Sequence, residues 1–312
     1  MKNRILSLIG AALMLVGCTN QNINRSNLSI VSPTGAPSLA FYQYASLANF
    51  ETNSDPTNII PMMVAGQKDV VVLPTNAGMQ AILNRQAPYK IAATITFGNF
   101  YLISMGNDDN NQMDASDTIL LFQKNNVPDK IFHYVYGNEL DSAIHYVTAV
   151  SDAATAAISG RFVDGESGNS LVPNYVLLAE PALTNVMSKK EGLTVYANMQ
   201  EQYKAKSNGL TIFQASVFLK NSVEQKDGDA FLNSLKNDIN SAIKDPTLLS
   251  AGLNKATSPN EQFGIAPAMA EAVLKKNNGM GLGFARAKEN KESIENFLKL
   301  FNITGVNEEN YF

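Results

Sequence analysis

The chain has 312 residues, of which 24 are basic and 28 acidic, and 45% are hydrophobic against 17% charged. That length suits two domains of ordinary size, and the composition can bury real cores. The formal net charge of −4 argues against a nucleic-acid partner, which needs basic patches to neutralise phosphates. A single cysteine, Cys18, excludes a disulfide framework and a multi-thiolate metal site.

Lys2 and Arg4 precede an apolar run over residues 5–16, broken only by Ser7 and Gly10. A basic start, a short apolar stretch and a small residue before a cut describe a secretory signal. The run is too short to span a bilayer core of about 30 Å, which takes about 20 apolar residues. Leu15-Val16-Gly17-Cys18 resembles the lipobox of bacterial lipoproteins, in which the thiol receives a diacylglyceryl group and becomes the mature N-terminus. Residues 1–17 are therefore expected to be a signal peptide, with Cys18 the lipidation site. Two or three acyl chains are needed for stable anchoring, because one holds only weakly. Cleavage would leave 295 residues with 22 basic and 28 acidic groups, a net charge of −6. Residues 18–27 are polar and read as a tether between lipid and fold.

Beyond the tether, short apolar strands alternate with helical stretches. Residues 28–31 form a strand ending at the turn Ser32-Pro33-Thr34-Gly35-Ala36-Pro37, and residues 38–48 a helix with Pro37 tolerated in its first turn. Asp55 is placed to cap a helix reaching about Ala65. Asp69-Val70-Val71-Val72-Leu73 is a continuous apolar run of the kind buried in a sheet. Pro74-Thr75-Asn76 follows, then a helix over 77–84 and strands over 90–96 and 100–105. This order implies βαβ crossovers and an α/β sheet.

Residues 106–116 are polar and turn-rich, the expected crossing into a second lobe. There we expect a strand over 118–122, a helix over 128–136 continued through Asp141-Ser142-Ala143-Ile144-His145-Tyr146, a helix over 153–158 and a strand over 175–179. Residues 211–219 form a strand that returns the chain to the first lobe. Residues 231–243 and 291–301 show helical spacing of apolar positions. The expected organisation is lobe 1 from 28–105 and 213–312, and lobe 2 from 106–212.

The lipobox, the strand ending in Ser32-Pro33-Thr34-Gly35-Ala36-Pro37, the segment Lys68 to Asn76 (KDVVVLPTN) and Leu177-Leu178-Ala179-Glu180-Pro181 occur in an order that resembles solute-binding lipoproteins of ABC importers. Within the periplasmic-binding-protein-like type II class, the chain is most similar to the group binding nitrate, sulfonates, taurine or thiamine-precursor pyrimidines. The resemblance implies an α/β fold of two lobes, each a mixed sheet flanked by helices, with a cleft between them. It departs from that group at Gln123-Lys124-Asn125-Asn126-Val127-Pro128, where a glycine-rich turn is usual. It is also longer over 162–173 and lacks tryptophan.

Ligands of open α/β sheets lie beyond the carboxyl ends of the strands, which selects the turns. Ser32, Pro33, Thr34, Gly35 and Ala36 are candidates: Gly35 lets backbone approach a ligand, and the helix that follows points free N–H groups at the cleft. A plain strand-to-helix turn has the same composition. Thr75 and Asn76 serve as hydroxyl and amide contacts or as an N-cap. Phe97, Gly98 and Asn99 follow a strand in the same way, with Phe97 either stacking on a ring or packing in the core. Gln123, Lys124 and Asn125 form the second lobe's helix-entry turn. Glu180 either pairs with a ligand ammonium or holds the lobes together. Arg286 is a further guanidinium suited to an anion if it faces the cleft.

Gly279-Met280-Gly281-Leu282-Gly283 is glycine-rich, but no strand leads into it and no acidic partner follows, so it reads as a turn. His133 and His145 lie twelve positions apart with no joining carboxylate cluster, so neither a metal nor any other cofactor is expected. No serine sits in a nucleophile elbow.

The expected function is therefore capture of a small organic solute, such as a sulfonate or pyrimidine, by a monomer lipid-anchored outside the cytoplasm, with ABC permease and ATPase subunits as partners and no catalysis. The alternatives are a lipoprotein enzyme related to pyrimidine-precursor synthases, which use a histidine and a cysteine-rich segment, and a sensory or adhesion lipoprotein on the same fold.

Overall fold

A computed structural model describes residues 27–108, 110–276 and 279–312. The signal segment, Cys18 and the tether up to residue 26 lie outside the described residues. Among the described residues no helix is long and apolar enough to cross a membrane.

The chain opens with β1 (Ile30–Pro33), α1 (Ala36–Leu39), β2 (Phe50–Asn53) and α2 (Ile59–Val64). It continues through β3 (Val70–Pro74), α3 (Thr75–Arg85), β4 (Tyr89–Thr96) and β5 (Phe100–Ser104). Then come β6 (Ile119–Phe122), α4 (Val127–Tyr136), β7 (Ile144–Val147), α5 (Val150–Ser159), β8 (Phe162–Val163) and β9 (Ser170–Leu171). β10 (Tyr175–Ala179), α6 (Ala182–Lys189), β11 (Thr194–Asn198) and α7 (Met199–Lys206) follow. The last part holds β12 (Ala215–Lys220), α8 (Gln225–Lys244), α9 (Pro246–Leu253), α10 (Pro259–Phe263), α11 (Pro267–Lys275), β13 (Leu282–Arg286) and α12 (Lys291–Leu298).

Two mixed sheets result. One has six strands in the order β13-β4-β12-β3-β1-β2, the other five in the order β11-β5-β10-β6-β7. In the first, β1 runs parallel to β2 and β3, while β12 is antiparallel to β3 and β4. In the second, β6 runs parallel to β7 and β10, and β5 is antiparallel to β10 and β11.

Alternation along β3 shows why a continuous apolar run was required. Val71 and Leu73 enter one core while Val70 and Val72 enter another, because successive strand side chains face opposite ways. The second core packs that face of the six-stranded sheet on α8, α9 and α11 through Phe231, Leu249 and Val273. The first core extends from Phe218 in the six-stranded sheet to Leu102, Leu120 and Leu177 in the five-stranded one. Each such fully buried aliphatic or Phe side chain contributes about 1.5–3 kcal/mol.

Four expectations are corrected. Phe100–Ser104, expected within a first lobe ending at 105, is hydrogen-bonded between β10 and β11 of the five-stranded sheet. The chain therefore crosses between sheets at Phe97-Gly98-Asn99, before the polar stretch 106–116. Residues 144–147, expected to continue a helix, form β7 against β6; the pairing available at that sheet edge overrides local helical spacing. The helix expected over 38–48 is four residues of α1 followed by a 3₁₀ turn at Tyr42–Tyr44. The stretch opening at Asp55 is a 3₁₀ turn, Pro56–Asn58, leading into the short α2.

The chain returns through residues 207–214 into β12, and the six-stranded sheet is thus built from two separated segments. The glycine-rich stretch, expected as a turn, runs at Leu282 into β13, and it braces this junction: Gly281 accepts a hydrogen bond at its carbonyl oxygen from Phe97 N at 2.8 Å.

Candidate functional site

Between the sheets lies a cavity of about 360 Å³ lined by Asn76, Ala77 and Gln80 of α3, Lys124, Asn125 and Asn126 of the β6–α4 turn, Lys130 of α4, and Phe301 and Asn302. Asn76 and Ala77 on one wall and Lys124, Asn125 and Asn126 on the other lie where strands end and helices begin. Asn126 caps α4, its Oδ1 accepting from Val127 N at 2.9 Å. Across the cleft the same oxygen accepts from Asn76 Nδ2 at 3.5 Å. Asn125 N donates to Asp129 Oδ2 at 2.7 Å, which holds the turn against its own helix.

Thr75 and Asn76 sit in the first turn of α3, and neither side chain caps it. Thr75 is instead tied into the sheet, with its Oγ1 2.7 Å from Ser216 Oγ, which lies 2.8 Å from Thr94 Oγ1. This hydroxyl chain fixes α3 over the strand ends and leaves Asn76 at the cavity wall.

The structure thus brings Asn76, Lys124 and Asn125 together from two distant parts of the sequence. Asn126, Lys130, Gln80, Phe301 and Asn302 join them without having been singled out. Asn126 carried a usable signal, since an Asn before Val127-Pro128 is a recognisable N-cap; the C-terminal pair carried none.

Other candidates behave differently. Ser32, Pro33, Thr34, Gly35 and Ala36 do close β1, but the free helix end expected after them is absent. Thr34 N donates to Asn53 O at 3.0 Å and Gly35 N to Phe263 O at 2.9 Å. Helix α1 is one turn long, too short to sum a useful dipole. Phe97 packs edge-on against Phe213 at 5.7 Å, and Phe213 packs against Phe297, which is the core-packing reading. Gln123 is exposed at the start of the β6–α4 turn, its N–H donating to Val147 O.

Glu180 is buried, and its carboxylate accepts from Thr184 N at 3.0 Å and Thr184 Oγ1 at 2.8 Å. Burial raises its pKa against those two bonds and the nearby Lys276. Its backbone joins the crossing, with Glu180 N donating to Asn99 O at 3.0 Å and Asn99 Nδ2 donating to Glu180 O at 2.9 Å. Gly98 abuts Gln200, whose side chain grips both backbone groups of Phe100. Arg286 points elsewhere: its guanidinium bonds Asp229 Oδ1 at 2.7 Å and Asn233 Oδ1 at 2.9 Å on α8.

A larger polar groove of about 670 Å³ on the five-stranded side shares Lys124, Asn125 and Lys130 with the cleft cavity. Both histidines line it, each beside a carboxylate: His133 against Asp129 and Asp141, and His145 against Asp164. Among the described residues no group of three or more His, Cys, Asp or Glu side chains could hold a metal ion.

No protein-family model matches the chain, and neither does any curated protein. Solved structures do. An ABC transporter from Parabacteroides distasonis superposes with a TM-score of 0.67 at 19% identity, covering 88% of this chain and 91% of that one. The periplasmic aliphatic sulphonate binding protein of Escherichia coli gives 0.58 at 10% identity, covering 88% and 85%. A Candida albicans protein described as having the generic periplasmic binding protein fold gives 0.51 at 9% identity, covering 90% and 92%. The fold is that of the periplasmic binding proteins. At these identities the likeness is one of fold, and it accounts for the two mixed sheets joined by paired crossings.

Proposed function

We propose that this chain is the solute-binding lipoprotein of an ABC importer, held outside the cytoplasm through Cys18. It takes up a small organic solute between its lobes and releases it to a membrane permease without chemical change. The observation that carries this reading is the polar cavity walled by both sheets' strand-end turns, with Asn76 of one side meeting Asn126 of the other. Such a site is open when the lobes part and enclosed when they meet, which is what hinge capture requires. The names of the similar structures support the same role.

Reversible capture needs neither a nucleophile nor a cofactor. The tether keeps the protein near its permease, raising its effective concentration there.

Thermal unfolding in the presence of sulfonates, nitrate, pyrimidines and amino acids tests it. At least one solute is expected to raise the Tm by several degrees at a hundredfold excess over its Kd, equivalent to about 2.7 kcal/mol. Ala77→Trp, which fills the cavity, is expected to abolish the shift while leaving the free protein folded. Identical shifts in both proteins would remove the cavity from the account.

A further inference from the structure

Four buried oxygens surround the point where the chain crosses between the sheets: the amide oxygens Asn76 Oδ1, Asn99 Oδ1 and Gln214 Oε1 and the hydroxyl Thr96 Oγ1 have no hydrogen-bond partner among the described residues. Their residues are tightly enclosed, with Thr96 fully buried, Asn99 2% and Asn76 7% exposed. Backbone bonds place three of their residues at adjoining strand ends. Gln214 O accepts from Thr75 N, next to Asn76, and Gln214 N donates to Thr96 O, both at 3.0 Å. Asn99 is three residues beyond Thr96, so it lies within about 11 Å of it along the chain. Asn76 also lines the cleft cavity.

Buried polar groups are almost always bonded, and an orphan costs about 1–3 kcal/mol. Four such orphans around a single junction, one of them on the cleft wall, point to a further molecule that completes them. The amide orientations are set by their other ends: Asn99 Nδ2 donates to Glu180 O and Asn76 Nδ2 to Asn126 Oδ1. Turning Asn99 over would set its oxygen against a carbonyl, so its free end is an acceptor.

Resting on the solute-binding reading above, we propose that the solute presents N–H or O–H donors to this cluster, as an amine, amide, amidine or aminated ring does. The head of the solute is then not a sulfonate, phosphonate or nitrate, whose oxygens would meet the fixed amide oxygens of Asn76 and Asn99.

Calorimetric titration of the full chain with cytosine and agmatine as donor probes, and with methanesulfonate and nitrate as oxyanion probes, tests the assignment. A donor probe is expected to bind at least tenfold more tightly than either oxyanion. Gln214→Glu, which keeps an acceptor, is expected to hold or tighten that binding. Gln214→Leu is expected to weaken it at least tenfold without lowering the Tm of the free protein, since it deletes an orphan. Tighter binding of the oxyanions, or equal binding of both sets, overturns the donor assignment and leaves the importer reading standing. Binding of none of the four, in a protein that also fails to respond to the wider solute set, overturns both.

Discussion

Alanine at Gly281 is expected to destabilise the protein by about 2–5 kcal/mol, the sum of a left-handed backbone penalty and overpacking. Gly281 has a φ of +62°, and a Cβ there would stand 1.9 Å from Gly98 O and 2.9 Å from Gly98 C. The obstacle is backbone rather than the end of a flexible side chain. Moving it would disturb the crossing itself, because Gly281 O already accepts from Phe97 N and Asn99 is bonded to Glu180 on the other sheet. Solute affinity should therefore fall along with stability. Urea unfolding of Gly281→Ala beside Gly165→Ala, where a Cβ has open space, checks this. A loss below about 1 kcal/mol at Gly281 would mean that the two segments do not pack as described.

The second large effect lies under α3. A Cβ on Gly78 would come within 2.1 Å of Phe218 Cζ, on a ring that is fully buried in the central strand β12. The ring cannot swing aside in a close-packed core, so Gly78→Ala is expected to cost about 3 kcal/mol. Phe218→Leu removes the obstructing ring and is expected to cost about 1–3 kcal/mol alone through the space it leaves. The double variant should cost less than the sum of the two, with a coupling of at least about 1 kcal/mol. Additive losses would show that α3 does not sit on Phe218, and with it would go the placement of Asn76 at the cavity.

Much of this architecture was legible in the residues. Val70 to Leu73 and Tyr175 to Leu178 are unbroken apolar runs, and each proves to be a strand buried on both faces. The return of the chain into the first sheet was visible as a long β-rich stretch near residue 215. What escaped was set by pairing rather than by local pattern. Phe100–Ser104 reads the same whichever sheet it joins, and only its partners β10 and β11 decide. Residues 144–147 offer a strand only because β6 has a free edge. The turn after β1 was legible as a turn, but its N–H groups are spent on Asn53 and Phe263, the latter more than two hundred positions away. In the same way the cleft wall needs Asn302, and the acceptor cluster needs Gln214, neither of which carries a local signal.

The central claim is that a small solute occupies the cleft between the lobes. Native mass spectrometry of the purified chain, with and without incubation in the donor probes, measures this directly. One solute per chain is the expected stoichiometry, absent from Ala77→Trp and diminished in Gln214→Leu. A bare protein mass under every condition, or equal occupancy of the wild-type and Ala77→Trp chains, would contradict it.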